Sequence, residues 1–249
     1  MLEARDLTLW QGDRLLLDRL GFTLDDGEAV QVLGRNGAGK TTLLRALIGL
    51  AEIDEGDVLW DGGAFSRQRD ALYDTLIYLG HRNGLVPELT ALENLRYLCP
   101  SVSSGDAVIG EALATLGMSG REDLPVAMLS AGQRRRTALA RLLIEPARLW
   151  VLDEPLTSLD VDGGRWLADA IERQLDRGGS VIFTSHQPLP TIRYEIRTLH
   201  LAGDSEDATA VAEFDHAEVL RENAGSLHEN LDGATAIDTA TGSGSGENA

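Results

Sequence analysis

The sequence is poor in cysteine and in long apolar runs, and both absences limit what the chain can be. Cys99 is the only cysteine, which excludes an intramolecular disulfide and a thiol-rich metal cluster. No apolar run approaches the roughly 20 residues that a transmembrane helix needs, and residues 1–6 lack the charge order of a secretory signal. These features predict a chain that stays in the cytoplasm unless a partner holds it at a membrane.

Lysine is nearly absent as well, which draws attention to the one lysine present. Of the 22 basic side chains only Lys40 is a lysine, so the other 21 are arginines. Lysine ends in a compact ammonium on a flexible stem, whereas arginine ends in a planar fork of donors. We therefore expect the chemistry at position 40 to require an ammonium group that a guanidinium would not replace.

The chain is also short of positive charge. It holds 40 acidic and 22 basic side chains, for a formal net charge of -18. Residues 203–249 contain eleven acidic residues against one basic residue, Arg221, a balance of -10. A nucleic-acid-binding face needs clustered basic residues, and the one cluster here is Arg134, Arg135 and Arg136. The composition therefore argues against a nucleic-acid partner.

Apolar patterning predicts strands that alternate with helices. Residues 1–24 indicate two strands around a Gly12–Asp13 turn, an antiparallel flap. An apolar run at 29–33 ends at a glycine-rich turn and is followed by a helical segment at 40–50. Further buried strands are predicted at 76–79, 149–152 and 180–184, with a helical stretch through Ile171 and Leu175. This alternation predicts an α/β fold with a parallel, covered sheet.

Two other regions differ from this pattern. Between the strands, Thr90 and Glu93 fit a capping box, and residues 104–116 have helical spacing. These signals predict a helical subdomain at about 82–140. The subdomain would be inserted in a cassette that spans residues 1–202. Residues 203–249 form an acidic C-terminal extension. Its last part, 233–249, is rich in Gly, Ser, Thr and Ala and is predicted to be disordered, because it cannot bury enough apolar surface.

A glycine-rich segment between a predicted strand and a predicted helix has the spacing of a phosphate-binding loop, or P-loop. Its residues are Gly34, Arg35, Asn36, Gly37, Ala38, Gly39, Lys40, Thr41 and Thr42. Glycines let consecutive backbone N–H groups point at phosphate oxygens, and the helix N-terminus adds its positive end. Lys40 would reach the β- and γ-phosphates, and the Thr41 hydroxyl would ligate Mg²⁺. An ordinary glycine turn is the alternative, which the full match disfavours.

Two carboxylates, Asp153 and Glu154, follow the predicted strand at 149–152. The carboxyl end of a parallel strand lies beside the P-loop in such folds. Asp153 would hold Mg²⁺, directly or through water, and Glu154 would accept a proton from the attacking water. A surface Asp–Glu pair after a strand is a common alternative, and the P-loop in the same chain favours the catalytic interpretation.

Residues 129–133, Leu-Ser-Ala-Gly-Gln, resemble the signature motif of the ABC transporter family. The resemblance implies a P-loop NTPase (RecA-like) core with an N-terminal antiparallel β flap and an inserted α-helical signature subdomain. It also implies that the chain hydrolyses ATP with Mg²⁺ and pairs with a second cassette as a homodimer. Ser130, Ala131, Gly132 and Gln133 would then meet the γ-phosphate of ATP bound to the other copy. Ala131 stands where most members have a glycine.

Other segments extend this resemblance. Asp160 ends a segment that resembles the D-loop at the dimer interface, and His186 resembles the switch histidine that contacts the γ-phosphate and positions Glu154. His81 occupies the place of the usual Q-loop glutamine. Trp10 lies one residue before the usual adenine-stacking aromatic position, and a packed strand residue is an equal alternative for it.

The segments around His81 and His186 are most similar to the CcmA family, the ATPases of bacterial cytochrome c maturation. This resemblance implies haem export, or release of a haem-loaded chaperone, and a location at the cytoplasmic face of the bacterial inner membrane. It also implies a membrane subunit of the CcmB type, with CcmC-, CcmD- and CcmE-type proteins. An ATPase for a drug or lipid exporter shares the nucleotide-binding residues. A soluble ABC protein acting on ribosomes or DNA is a further alternative, which the single cassette and acidic tail disfavour.

Overall fold

The computed structural model describes residues 1–100, 105–201 and 214–215. The strands among them are β1 (Leu2–Gln11), β2 (Arg14–Leu24), β3 (Ala29–Gly34), β4 (Glu55–Trp60), β5 (Gly63–Ala64), β6 (Leu76–Leu79), β7 (Leu149–Leu152), β8 (Ser180–Thr184), β9 (Ile196–Leu201) and β10 (Phe214–Asp215). The α-helices among them are α1 (Lys40–Leu47), α2 (Phe65–Tyr73), α3 (Ala91–Leu98), α4 (Asp106–Thr115), α5 (Ala131–Leu139), α6 (Arg141–Ile144) and α7 (Val161–Asp176). The alternation of strands and helices confirms the predicted α/β class.

The N-terminal flap is an antiparallel sheet in the order β2-β1-β4-β5. Gln11 of β1 pairs with Arg14 of β2, so Gly12 and Asp13 form a two-residue turn with Gly12 at φ 61°. Glycine adopts this positive φ without steric cost, which explains the turn. The flap predicted for residues 1–24 is confirmed, and β4 and β5 extend it by two strands that the sequence pattern did not indicate.

The second sheet has the order β10-β9-β3-β8-β7-β6, and its strands β9, β3, β8, β7 and β6 run parallel. Every residue of β7 and β8 is buried, because apolar cores lie on both faces. Val151 of β7 belongs to a first core shared with the flap and α1, whereas Trp150 and Leu152 belong to a second core shared with α7. Such burial on both faces produces the continuous apolar runs seen in the sequence.

The helical subdomain has a third apolar core of its own. Leu95 of α3, Leu113 of α4 and Leu129 before α5 belong to this core. Thr90 Oγ1 accepts the N–H of Glu93 and the Glu93 carboxylate accepts the N–H of Thr90, which confirms the predicted capping box. Trp166 of α7 packs against both the second and the third core and therefore lies at the seam between sheet and helical subdomain.

The helix that follows the glycine-rich turn is shorter than predicted. α1 ends at Leu47 rather than continuing to 50, because Gly49 adopts φ 68° and the N–H groups of Gly49 and Leu50 bond back to Ala46 and Arg45. This pairing is the Schellman motif that commonly ends helices.

An irregularity also interrupts the helical stretch that Ser130 caps. This stretch is divided at Ala140 into α5 and α6, where the N–H of Ala140 is shared between the carbonyls of Arg136 and Thr137. The shared bond tightens the turn and interrupts the regular ladder of the α-helix.

In the part of the chain that the structure describes, no helix is both long and apolar enough to cross a membrane. The boundaries of the cassette at 1–202, of the inserted subdomain at 82–140 and of the extension at 203–249 stay predictions. The segment predicted to be disordered, 233–249, lies outside the described residues.

Candidate functional site

A cleft of about 450 Å³ opens where the parallel strands end. Its wall contains residues that the sequence predicted for the site, namely Asn36, Gly37, Gly39, Lys40, Thr41, Thr42, His81, Asp153, Glu154 and His186. They follow β3, β6, β7 and β8, which are neighbours in the sheet order. Because parallel strands present their carboxyl ends at one edge, four loops distant in sequence meet there.

The P-loop encloses the side chain of Lys40. Gly37 and Gly39 adopt φ values of 82° and 91°, which strain any residue with a side chain. Lys40, the first residue of α1, is 9% exposed, and its Nζ donates to the carbonyl oxygens of Gly34 at 2.7 Å and Arg35 at 3.2 Å. The loop therefore holds the ammonium group at the start of the helix, beside the cleft.

Asp153 is almost fully buried, at 1% exposure, and both of its carboxylate oxygens are held by hydroxyl groups. Thr41 Oγ1 donates to Oδ2 at 2.9 Å, and Thr184 Oγ1 donates to Oδ1 at 2.8 Å. The parallel pairing of Leu152 with Phe183 brings Thr184 beside Asp153. The orientation of this carboxylate is thus fixed from the P-loop helix and from the adjacent strand.

Glu154 has an unusual backbone conformation for a residue with a side chain, with φ 50°. Such a conformation costs of the order of 1–3 kcal/mol and persists only when its surroundings enforce it. The N–H of Glu154 donates to Thr184 Oγ1 at 2.8 Å. The Oε2 atom accepts the backbone N–H of His186 at 3.1 Å, while Oε1 is buried without a hydrogen-bond partner among the described residues. Glu154 thus carries an unsatisfied acceptor in the cleft wall, ready to receive a proton donor.

His186 stands between the lysine and the glutamate. Its Nε2 lies 3.5 Å from Lys40 Nζ and 3.4 Å from Glu154 Oε1. The imidazole is half-exposed, so it can reach a group bound in the cleft. His81 is exposed in the same wall, on the segment after β6.

Trp10 is placed differently from the other predicted residues. It is 47% exposed on β1 and lies outside the described wall of the cleft, whereas its neighbour Gln11 lines that wall. The adenine-stacking role of Trp10 stays a prediction.

The signature residues Ser130, Ala131, Gly132 and Gln133 also lie outside that wall, at the start of α5. Ser130 and Gln133 form a capping box, with the Gln133 N–H donating to Ser130 Oγ and the Ser130 N–H donating to Gln133 Oε1. Ser130 and Ala131 are exposed. A side-chain carbon added at Gly132 would come within 2.8 Å of the Ser158 carbonyl, so a glycine is needed for this close approach.

Asp160 connects α5 to α7. Its Oδ1 accepts the N–H of Gly163 and caps α7, and both carboxylate oxygens accept Arg136 Nη2, at 2.6 and 2.7 Å. These bonds, first the Gly163 N–H and then the Arg136 guanidinium, lower the pKa of Asp160. The last turn of α5 and the 158–160 loop are thereby linked through the Asp160 carboxylate.

Two buried residues beside Asp153 and Glu154 were not predicted from the sequence. Thr184 contacts both, as described above, and Arg135 donates to the backbone carbonyls of both. The end of an apolar strand adjacent to β7 was the signal for Thr184. The only signal for Arg135 was its place in the basic cluster of Arg134, Arg135 and Arg136.

The residues of the cleft fit a nucleoside triphosphate with Mg²⁺. Thr41 Oγ1 and Asp153 Oδ2 are hard oxygen donors 2.9 Å apart, and Mg²⁺ binds oxygen donors while retaining several waters. The P-loop backbone, the start of α1 and Lys40 provide positive electrostatic potential for phosphates. The unsatisfied Oε1 of Glu154 would accept a proton from water.

Comparison with known proteins gives consistent matches. A family model described as "ABC transporter" matches residues 17–157. A cytochrome c biogenesis ATP-binding export protein, CcmA 2 of Salmonella paratyphi A, is 52% identical over 204 residues, which cover 82% of this chain and 98% of that protein. The protein CcmA of Shigella flexneri is 48% identical over 201 residues, covering 81% of this chain and 96% of that one.

Solved structures are similar as well. An ATP-binding subunit of an ABC transporter has a TM-score of 0.71 at 26% identity, covering 81% of this chain and 85% of that one. A dimeric bacterial ABC transporter cassette has a TM-score of 0.71 at 23% identity, and the match covers 81% of this chain and 94% of that one. The second likeness concerns the fold alone.

Proposed function

The chain belongs to the ABC transporter family, and on this basis we propose that it is the ATP-hydrolysing subunit of a CcmA-type export complex for c-type cytochrome biogenesis. The observation that carries the proposal is the 52% identity to a CcmA protein over 98% of that protein's length. Because this match spans nearly the whole relative rather than the P-loop alone, it supports a shared task as well as a shared fold.

ATP is the substrate in this proposal. The backbone N–H groups of the P-loop and the start of α1 would bind the phosphate oxygens, and the Lys40 ammonium would neutralise charge on the β- and γ-phosphates. Lys40 is suited to this role because its Nζ is already held at the helix start by the Gly34 and Arg35 carbonyls. Such preorganisation lowers the cost of stabilising charge that develops during phosphoryl transfer.

Thr41 and Asp153 are the residues that would hold Mg²⁺. When bound, the metal polarises phosphate oxygens as a Lewis acid. The Thr184 hydroxyl keeps the Asp153 carboxylate turned toward Thr41 by occupying its other oxygen. The protein's contribution here is a fixed pair of oxygen donors, one on the exposed Thr41 and one on the nearly buried Asp153.

Glu154 is the proposed general base. The attacking water would transfer a proton to Oε1 as its oxygen bonds to the γ-phosphorus and the bond to the β-phosphate oxygen breaks, releasing ADP and phosphate. The His186 backbone N–H holds Oε2, which leaves Oε1 as the carboxylate oxygen without a hydrogen bond. The His186 ring, close to both Lys40 Nζ and Glu154 Oε1, would contact the γ-phosphate.

Two copies of the chain would complete each site. The exposed start of α5, with Ser130 and Ala131, would meet ATP bound to the other copy, because free N–H groups at a helix N-terminus attract phosphate. Asp160, linked to this helix through Arg136, would lie at the same interface. The dimeric cassette of the same fold supports this arrangement.

The proposed partners follow from the CcmA relatives, described as export proteins of cytochrome c biogenesis. The cassette pair would dock on a membrane subunit of the CcmB type, at the cytoplasmic face of the bacterial inner membrane. CcmC-, CcmD- and CcmE-type proteins would join through that subunit. ATP hydrolysis would then power haem export or release of the haem-loaded chaperone.

Replacing Glu154 by glutamine tests the site. Glu154→Gln is expected to lower ATP turnover by at least about 100-fold, because general base catalysis contributes that much, while ATP binding is retained. An ATP-bound pair should then accumulate, detectable by size-exclusion chromatography. Glu111→Gln, an exposed change on α4, is the matched control and should hydrolyse ATP normally. Unchanged hydrolysis in Glu154→Gln would remove Glu154 from this role.

Replacing the native gene tests the biological task. A host that carries Glu154→Gln as its sole copy is expected to lose c-type cytochromes, measured by haem staining of membrane proteins. Co-purification from membranes should recover a CcmB-type subunit. Recovery of a drug or lipid exporter subunit instead would contradict the cytochrome assignment while leaving the ATPase assignment intact.

A further inference from the structure

Arg135 is a buried arginine whose hydrogen bonds converge on the backbone around Glu154. It lies on α5 and is 3% exposed. Its Nε donates to the Pro155 carbonyl at 3.2 Å, and its Nη2 donates to the carbonyls of Asp153 at 3.1 Å and Glu154 at 2.8 Å. Three consecutive carbonyls of the turn after β7 are therefore held by one guanidinium group.

The same guanidinium also holds the segment that carries His81. Its Nη1 donates to the Gly80 carbonyl at 3.2 Å and to Asn83 Oδ1 at 3.0 Å. A guanidinium has five N–H donors, and these contacts use all five. Arg135 is thus a rigid connection between the 80–83 segment and the 153–155 turn.

The acceptors of Arg135 are four carbonyls and one side-chain amide, all of them neutral. Burial lowers the pKa of the Arg135 guanidinium, and the nearby charges of Asp153 and Glu154 oppose that shift. Burying a cation costs free energy, which charge-assisted hydrogen bonds offset. Every one of these bonds ends on a segment that contributes to the cleft.

Glu154 depends on such support because of its positive φ of 50°. Its N–H is held by Thr184 Oγ1, and its carbonyl is held by Arg135 Nη2. Two buried side chains, from β8 and α5, therefore fix the strained peptide units on either side of the carboxylate. Without Arg135 the Glu154 carbonyl would keep only the bond from the Thr157 N–H, at 3.2 Å, which comes from within the same turn.

We propose that Arg135 is a positioning residue for Glu154, which holds the 153–155 turn so that the carboxylate faces the attacking water, and which ties this turn to the 80–83 segment. The proposal rests on the proposed role of Glu154 as general base. Arg135 lies outside the described wall of the cleft, so its removal affects the rate of hydrolysis rather than the binding of nucleotide.

The test compares Arg135→Met and Arg135→Lys with wild type. Arg135→Met removes all five donors, and we expect kcat to fall about 10- to 100-fold, the effect of a small misplacement of a catalytic group, with KM for ATP within about threefold. Arg135→Lys keeps the charge but has one donor nitrogen. Its kcat should therefore lie between the kcat of Arg135→Met and that of wild type. Arg141→Met is the control, because Arg141 donates to the Tyr78 carbonyl and has no described bond to the 153–155 turn.

A second readout separates positioning from general damage. The double variant Glu154→Gln/Arg135→Met should still form the ATP-bound pair on size-exclusion chromatography, because binding does not require the base. Loss of that pair would assign Arg135 to the structure of the cassette and overturn the proposal. If Arg135→Met does not fold, the kcat of Arg135→Lys serves as the test. A kcat of Arg135→Lys equal to that of wild type would also overturn the proposal.

Asn83 tests the connection to the 80–83 segment. Asn83→Ala removes one Arg135 bond and should lower kcat by a smaller factor than Arg135→Met. In the double variant Asn83→Ala/Arg135→Met, kcat should equal that of Arg135→Met alone, because Asn83 acts through Arg135. Independent, multiplying effects of the two changes would contradict the connection.

The failure of this inference is distinguishable from failure of the proposed function. Full activity in Glu154→Gln would reject the base and, with it, the role of Arg135. An inactive Glu154→Gln beside fully active Arg135→Met and Arg135→Lys would reject only the role of Arg135.

Discussion

The side chain of Lys40 is almost enclosed by the loop that precedes it, which makes its size as important as its charge. Lys40→Arg is expected to weaken ATP binding about 10- to 100-fold, because a displaced guanidinium loses a charge-assisted hydrogen bond to phosphate worth about 1.5–3 kcal/mol. Isothermal titration calorimetry with a non-hydrolysable ATP analogue measures the change. Arg173→Lys, on the exposed side of α7, is the control with the reverse substitution. Retained affinity in Lys40→Arg would show that charge alone suffices.

Thr184 provides a matched pair of substitutions at the same buried position. Thr184→Val keeps the shape but leaves Glu154 N–H and Asp153 Oδ1 without this partner, so we expect kcat to fall about tenfold or more. The free energy of unfolding should fall by about 1–3 kcal/mol. Thr184→Ser keeps the hydroxyl and should retain most of the activity. Steady-state ATPase assays and urea denaturation of Thr184→Val and Thr184→Ser measure these effects. Equal kcat values for Thr184→Val and wild type would contradict the role of this hydroxyl.

The residues of the cleft differ in how far sequence alone could identify them. Lys40 and Glu154 were identifiable because phosphate binding and base catalysis dictate residue type and spacing near a strand end. Arg135 was not, because it stands between Arg134 and Arg136, and only the rotation of about 100° per residue in a helix decides which arginine faces the turn. Thr184 required the register of β7 and β8, which is a long-range property.

At the scale of elements, the capping box of α3 supports the helical subdomain locally. Thr90→Ala is expected to destabilise the protein by about 1 kcal/mol, because the Glu93 N–H loses its acceptor. For a chain of this size that corresponds to a fall in Tm of about 2–4 °C. Differential scanning calorimetry measures it, with Thr90→Ser as the variant that keeps the cap. An unchanged Tm in Thr90→Ala would mean that α3 is held by its core contacts alone.

Which elements the sequence could predict depends on where their neighbours lie. The bounds of β6, β7 and β8 were predicted as the structure has them, because strands buried on both faces form unbroken apolar runs. β4 was missed because Glu55, Gly56 and Asp57 at its start are exposed. α2 was missed because its middle, residues 67–70, is entirely polar or charged. β4 depends on its pairing with β1, which is distant in the chain, and local periodicity does not report such a contact.

At the scale of the whole molecule, residues 233–249 are rich in Gly, Ser, Thr and Ala, a composition that predicts little burial of apolar surface. Deleting 233–249 is therefore expected to leave both the ATPase rate and the Tm unchanged within experimental error. Parallel ATPase assays and thermal melts of the full and shortened chains test this. A clear fall in either quantity would show that the C-terminal segment contributes to the cassette.

The position of Trp166 gives the molecule a property of practical use. Its ring contacts the second core beneath the sheet and the third core of the helical subdomain. Indole emission depends on the polarity around the ring, so any sliding of one core past the other would alter the wavelength or intensity of this tryptophan's fluorescence. The cassette thus contains an intrinsic optical probe at the contact between these two cores.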